Sequence, residues 1–259
     1  MPAHDLALLT EAARGAGEIA LRFWRQSPQV WEKPGLGPVT EADFAVNDYL
    51  RGVLRGARRD YGWLSEEDAD SAERLETERV FVLDPIDGTR AFIAGEDTFS
   101  VSLAVVEAGV PVAGVVYLPA LDRLYTASLQ APALKDGLPI AASTRAGIEG
   151  ATLLTTAPNL APEHWPGGVP DLKRSFRASL AYRLCLVAEG RHDGMLMLRD
   201  AWEWDIAAGS LIAARAGATV SDRLGAGLRF NAPHPQAKGV IAAAPGLHRA
   251  LVERLSHGG

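Results

Sequence analysis

The sequence has one cysteine, Cys185, in 259 residues. An intramolecular disulfide is therefore excluded, and the fold must be held by its core. Cys185 lies in the apolar run 184–187 and reads as a small buried hydrophobe. A catalytic thiolate needs a partner histidine, which the sequence does not suggest. The histidines are few and scattered: His4, His164, His192, His234, His248 and His257. That spacing argues against a His-based zinc site. Positive charge is in deficit, with 26 Lys and Arg against 32 Asp and Glu. A net charge of −6 argues against a nucleic-acid groove and against a basic membrane-binding face.

No unbroken apolar run of membrane length occurs. The best candidate, 99–118, is interrupted by Glu107, Gly109 and Pro111. It reads as two β-branched runs joined by a hairpin turn at Glu107-Ala108-Gly109. The N-terminus leads into a periodic helix, not a basic end followed by an apolar run. These features predict a soluble, cytoplasmic protein. There is no Walker loop, no Gly-x-Ser-x-Gly elbow and no His-Glu-x-x-His stretch. Repeats and low-complexity tracts are also missing.

What is present is an apolar content of 47%, ample for a large core. The patterning predicts a layered α/β fold. Leu6, Leu9, Ala13, Ala16, Ala20, Phe23 and Trp24 mark a helix over 5–25, with Asp5 as its N-cap. Pro28, Pro34, Gly35, Gly37 and Pro38 mark a loop over 28–38. Thr40-Glu41-Ala42-Asp43 reads as a capping box opening a second helix. Strands are predicted at 63–66, 80–83, 99–106, 111–118 and 123–127, and residues 129–150 read as a link between two halves. Beyond it come a strand at 152–156 and an irregular excursion over 157–170. A helix from the Ser179 cap to Gly190 follows, then a strand at 194–198, a helix over 204–216, a strand at 240–243 and a final helix from Pro245. The expectation is one domain of two intimately packed halves, about 1–140 and 141–259.

The chemistry lies in the carboxylates. Asp84-Pro85-Ile86-Asp87-Gly88-Thr89 follows a buried strand directly. Two acids three residues apart at a strand end can turn into one space and offer hard oxygen ligands that suit Mg²⁺. Gly88 and Thr89 then present backbone N–H groups at a turn, where phosphate binds well. Read alone, the same residues also fit a turn cap and ordinary loop chemistry. The same holds for Glu66 as surface charge, Asp43 as a capping acid and Asp205 as a helix-dipole partner. A haloacid-dehalogenase-like nucleophile fits poorly, because its Asp-x-Asp spacing is one residue shorter than the Asp-x-x-Asp here.

Taken together, Val39–Asp43, Ser65-Glu66-Glu67, Asp84–Thr89 and Trp204-Asp205-Ile206-Ala207-Ala208-Gly209 resemble the inositol monophosphatase family of Mg²⁺-dependent, lithium-sensitive phosphatases. The resemblance runs from about Lys33 to about Ala243. It implies a five-layered αβαβα sandwich, commonly in homodimers. It implies that Glu66, Asp84 and the Ile86 carbonyl hold one metal, and that Asp84, Asp87 and Asp205 hold a second. A third, weaker ion is implied near Glu66. Asp43 and Thr89 are implied to orient or activate the attacking water, and the Gly88 and Thr89 N–H groups to receive phosphate. Four carboxylates in one place repel one another without cations, so raised pKa values are expected.

Substrate class is read from smaller segments. Arg90-Ala91-Phe92 resembles some histidinol phosphatases. Ser65-Glu66-Glu67, Gly114–Tyr117, Cys185–Gly190 and Glu203-Trp204-Asp205 resemble the bacterial 3′(2′),5′-bisphosphate nucleotidase branch. The Gly-Ser-Ser-Leu-Lys segment of that branch appears as the shifted Ala178–Arg183. These features favour adenosine 3′,5′-bisphosphate, with inositol 1-phosphate and histidinol phosphate as alternatives. Arg183 reads as a contact to a second phosphate or as a solvated helix arginine. Trp202 and Trp204 read as core or cleft wall. The 28–38 loop, with Lys33, is expected to close over the metals. A non-catalytic scaffold fits poorly, because Asp43 and Thr89 accompany every metal-ligand candidate.

Overall fold

The computed structural model describes residues 2–33, 35 and 37–255. Pro34 of the expected loop and His257 lie outside the described residues. The first half runs α1 (Pro2–Phe23), β1 (Val30–Lys33), β2 (Gly37–Thr40), α2 (Glu41–Ala57), β3 (Gly62–Ser65), β4 (Arg79–Asp87) and the short α3 (Thr89–Ile93). β5 (Ser100–Glu107), β6 (Val110–Leu118), β7 (Arg123–Ser128), β8 (Ala131–Lys135) and β9 (Leu138–Pro139) follow. The second half runs β10 (Thr152–Leu154), β11 (Lys173–Ser175), α4 (Leu180–Ala188), β12 (Gly194–Met197), β13 (Ala201–Trp202) and α5 (Glu203–Arg215). It ends with β14 (Thr219–Ser221), β15 (Gln236–Ala237), β16 (Val240–Ala243) and α6 (Pro245–Arg254).

β3 to β9 form a seven-stranded sheet in sequence order, antiparallel except for the β3–β4 pair. A five-stranded mixed sheet has the order β11-β10-β12-β16-β14. The alternation of side chains along each strand splits the apolar residues among three cores. Phe81, Leu83, Val101 and Leu103 face α1 and α2. Val80, Val82, Met195, Ala242 and the apolar faces of α4 and α5 meet between the sheets. Leu153, Leu196, Ile241 and Ala243 turn the other way, onto Leu247 and Leu251 of α6. Each sheet is thus covered on both faces, which is why its central strands read as continuous apolar runs and not as alternating ones. The layers are αβαβα, as expected.

Three local expectations need correction. Residues 28–38 are not a plain loop: β1 pairs antiparallel with β2, Val30 opposite Thr40 and Lys33 opposite Gly37. The pair is isolated and its β1 side chains are largely exposed, so no buried alternation marks it. Residues 129–150 are not merely a link, since β8 and β9 extend the first sheet at its edge. Their short, half-exposed pattern is that of edge strands. Asp5 is not an N-cap. It is fully buried inside the first turns of α1 and pairs with Arg58 and Arg79. Short β11, β13, β14 and β15 carry too few residues to show a period. The turn at Glu107-Ala108-Gly109 is as read, with Ala108 and Gly109 at φ 49° and 81°.

Candidate active site

β4 carries the centre of the site. Its pairing with β5 shifts register between Asp84 and Asp87, which re-aims the side chains at the strand end. Glu66 follows β3, whose parallel register sets Ser65 against Leu83. The Glu66 N–H donates to the Leu83 carbonyl at 3.3 Å, so Glu66 arrives beside Asp84. Asp205 comes from the first turn of α5. That turn is tied to β5 by Ser102, whose hydroxyl donates to the Trp204 carbonyl at 3.1 Å. Ser102 is also the register partner of Asp84. Three chain segments are thus joined at one strand end by a backbone hydrogen bond and a hydroxyl–carbonyl bond.

The result is a cluster in which Glu66, Asp84 and Asp205 each offer a carboxylate oxygen, all within 4.8 Å of one another. Among the described residues, Asp84 accepts from one backbone N–H, that of Ile86 at 2.9 Å. Burial pushes the Asp84 carboxyl well above the usual range, and the charges of Glu66, Asp87, Asp205 and Glu67 push further. Burial, then Asp87 and Glu66, do the same to Asp205, against a smaller pull from Arg199. Buried like charges with so few donors call for a cation. The donors are all carboxylate oxygens, without thiolate or imidazole, so the set fits a hard divalent ion better than zinc.

Asp87 behaves differently. It stays outside the three-acid cluster and reaches the start of α4, accepting from Ser179 Oγ (2.6 Å), Ala181 N (2.7 Å) and Leu180 N (3.1 Å). Burial raises its carboxyl to about 6, against the lowering effect of those three donors. Gly88, at φ 99°, makes the turn out of β4. A Cβ there would stand 3.4–3.5 Å from the backbone of Ser179 and Phe99.

The capping box at α2 is present as read. Asp43 Oδ2 accepts from Thr40 N (2.8 Å) and Thr40 Oγ1 (2.6 Å). Its other oxygen, Oδ1, faces Thr89 Oγ1 at 3.5 Å. The Thr89 hydroxyl also lies 3.2 Å from the Ile86 carbonyl. Burial holds the Asp43 carboxyl at about 6, with the Thr40 donors opposing. Capping and pairing with Thr89 are therefore compatible uses of one side chain, each taking a different oxygen.

Glu66, Asp84, Asp87, Gly88, Thr89 and Asp205 line one cavity of about 860 Å³. Its remaining wall includes His164, Phe176, Arg183 and Arg199 from the second half. Arg183 is buried, not solvated. Its Nε donates to the Arg177 carbonyl (2.5 Å) and its Nη2 to the Ala178 carbonyl (3.3 Å). Its guanidinium sits 4.4 Å from the Phe176 ring centre, and burial lowers its pKa to about 10. Trp202 and Trp204 stack at 4.6 Å, and neither is among the residues lining the cavity. Trp204 belongs to the core between the sheets.

The sequence reading placed Lys33 over the metals but not on the acids, and it missed Arg199. Lys33 already touches the acids, its Nζ donating to Glu66 (2.8 Å) and Glu67 (2.9 Å). Glu67, raised to about 7 chiefly by burial and then by Glu66, completes that group. Arg199 reaches the cavity from the end of β12; only its place before Asp200 and the Trp204-Asp205 pair hinted at it.

The family model for the inositol monophosphatase family matches residues 2–257. The chain belongs to that family. Inositol monophosphatase 1 of Solanum lycopersicum is 30% identical over 261 residues, covering 96% of this chain and 94% of its own. The 3′(2′),5′-bisphosphate nucleotidase CysQ of Escherichia coli (strain K12) is also 30% identical, over 85% of this chain and 91% of its own. Among solved structures, the extragenic suppressor protein suhB from Bartonella henselae superposes with a TM-score of 0.83 at 28% identity, covering 99% of this chain and all of that one. The family and these relatives make the chain a phosphatase, a hydrolase acting on small phosphate monoesters. The family is metal-dependent, which agrees with the acid cluster. No helix among the described residues is long and apolar enough to cross a membrane.

Proposed function

We propose that this phosphatase is a Mg²⁺-dependent phosphomonoesterase whose favoured substrate is adenosine 3′,5′-bisphosphate. The observation that carries the metal-dependent part is the convergence of Glu66, Asp84 and Asp205 at the strand end that continues into Asp87-Gly88-Thr89. Glu66, Asp84, the Ile86 carbonyl, Asp87 and Asp205 would hold two or three ions. When bound, Mg²⁺ neutralises the phosphate dianion and acidifies water for attack.

The remaining steps fall to the chain. Thr89 and Asp43 face each other at 3.5 Å and position the attacking water. Asp43, raised to about 6, is ionised at neutral pH yet basic enough to take a proton. The Gly88 and Thr89 N–H groups, at the turn out of β4, receive the phosphate oxygens. Attack is in line and needs no protein nucleophile. Arg183 lines the cavity and is rigidly held by two carbonyls, which leaves part of its fork for a second phosphate.

The core between the sheets draws residues from both halves, which supports reading the chain as one domain. A homodimer rests on the family resemblance. The nucleotide preference rests on the segments at Ser65–Glu67, Cys185–Gly190 and Glu203–Asp205, and on the similarity to CysQ. A second reading, inositol 1-phosphate, is favoured by the equal identity of the plant inositol monophosphatase over more of the chain. Histidinol phosphate rests on Arg90-Ala91-Phe92 alone.

The test is phosphate release from the three substrates at matched Mg²⁺, with and without lithium. The expected outcome is a kcat/KM preference of about 100-fold for the bisphosphate, roughly 2.7 kcal/mol of differential transition-state binding. A preference for inositol 1-phosphate overturns the nucleotide reading and leaves the metal chemistry in place.

A further inference from the structure

The cavity has two kinds of wall. One holds the acid cluster. The other carries guanidinium groups, and these differ in how they are used. Arg183 is buried and spends its Nε and Nη2 on the carbonyls of Arg177 and Ala178. Arg199 is exposed, and its side chain makes no hydrogen bond or ion pair among the described residues. Its neighbour Asp200, the obvious partner, is taken by Arg223 at 2.7 Å.

The backbone beneath Arg199 is nonetheless fixed. The Leu198 N–H donates to Asn159 Oδ1 at 3.2 Å, and the Leu198 carbonyl accepts from Arg223 at 2.9 Å. Asn159 is itself held through Nδ2, which donates to the Leu196 carbonyl (3.1 Å) and Thr155 Oγ1 (3.0 Å). A rigid backbone therefore presents an unpaired cation to the cavity. Arg199 is close enough to stabilise the charged form of Asp205 and to oppose that of Arg183. It thus lies within electrostatic reach of both walls.

We propose that Arg199 is a specificity-determining residue that receives a second anionic group of the substrate, remote from the phosphate being hydrolysed. This rests on the phosphomonoesterase reading above and extends it. A guanidinium fork matches phosphate oxygens, and one held on a fixed backbone loses little freedom on binding. A second phosphate beside Arg199 also relieves its repulsion with Arg183. The substrate class is a phosphomonoester carrying a further phosphate on the same small scaffold. Nucleoside and inositol bisphosphates share that chemistry, and the arms of the test separate them.

The experiment measures kcat and KM on two matched pairs. One is adenosine 3′,5′-bisphosphate against adenosine 3′-monophosphate. The other is inositol 1,4-bisphosphate against inositol 1-phosphate. Wild type is compared with Arg199→Ala and Arg199→Lys. The expected result is a bisphosphate-to-monophosphate ratio of kcat/KM that falls about tenfold or more in Arg199→Ala, through KM, and recovers in part in Arg199→Lys. A merely structural defect lowers both members of a pair and leaves the ratio standing, which overturns the inference. A ratio that falls in the inositol pair alone keeps Arg199 and overturns the nucleotide reading. A nucleotide ratio that is high in wild type and unmoved in Arg199→Ala keeps that reading and overturns the role of Arg199. Ratios near one in both wild-type pairs overturn both.

Discussion

α4 and α5 begin at the same cavity, and each has an aspartate at its first turn. The two aspartates are used in opposite ways. Asp87 comes from β4 and is met by a hydroxyl and two backbone N–H groups of α4. Asp205 belongs to α5 itself but turns toward Glu66 and Asp84, which are like charges. A helix start is an attractive place for a carboxylate, and Asp87 takes that stabilisation in full. Asp205 shares its space with other acids, and burial there raises its pKa strongly. The difference teaches that acids at one site differ in how far the protein's own donors satisfy them before any cation binds. Asp43 stands between them, one oxygen in a capping box and the other free for Thr89.

The largest effect that tests this contrast comes from the β4 acids. Asp84→Asn removes one of three mutually repelling carboxylates. Phosphate release should fall about a thousandfold, roughly 4 kcal/mol of barrier. The same variant should melt higher than wild type in EDTA and gain less from Mg²⁺. Asp87→Ala should also lose activity, but it strips three donors at α4 and should melt lower. The expected loss is roughly 2–3 kcal/mol, about 5–10 °C for a protein of this size. Melting shifts of the same sign in both variants would break the contrast.

The next effect is a pH dependence of the metal-free protein. Asp43 and Asp87 are raised to about 6 and Glu67 to about 7, each mainly by burial. Raised carboxyl groups bind more protons folded than unfolded. Their contribution is therefore fully present below the unfolded carboxyl pKa of about 4 and is lost as pH rises toward 7. In EDTA, the melting temperature should fall between pH 5 and pH 8. Saturating Mg²⁺ should flatten that slope, because a cation favours the ionised acids. An unchanged slope with Mg²⁺ would place the raised groups away from the metal.

The smallest expected effect concerns Lys33. Its ammonium reaches from β1 to Glu66 and Glu67. Lys33→Met should raise the apparent Mg²⁺ affinity roughly twofold to fivefold, the scale of a partly exposed ion pair. A titration followed by melting temperature reads it directly. Weaker Mg²⁺ binding in that variant would mean that Lys33 helps to assemble the site and does not compete for it.

Much of this molecule was legible without coordinates. The apolar runs at 80–83, 111–118 and 240–243 read as buried strands because sheets covered on both faces leave no polar alternation. The capping residues Thr40 and Ser179 mark their helices because unsatisfied N–H groups at a helix start demand an oxygen. The metal-site candidates were readable because Asp84-Pro85-Ile86-Asp87-Gly88-Thr89 is a dense local signal. The β1–β2 pair and β8 were not legible, since short exposed strands carry little periodic signal. The commitments of Asp87 to α4 and of Arg183 to residues 177–178 were not legible either. A residue's type sets which bonds it can make, and nothing local says which partner wins.

The sequence by itself determined the order of the longer helices and strands and the identity of the acids, because these follow from local periodicity and side-chain chemistry. Only the tertiary structure decided which acids come together. Glu66, Asp84 and Asp205 come from segments far apart in the chain, and their meeting depends on the β3–β4 register and the docking of α5 on β5. The structure likewise decided that Arg199 presents a wholly uncommitted guanidinium and Arg183 a partly committed one, because Arg223 claims Asp200 while the backbone of residues 177–178 holds two of the Arg183 nitrogens. Such assignments depend on competition among partners distant in sequence, and only the folded chain resolves that competition.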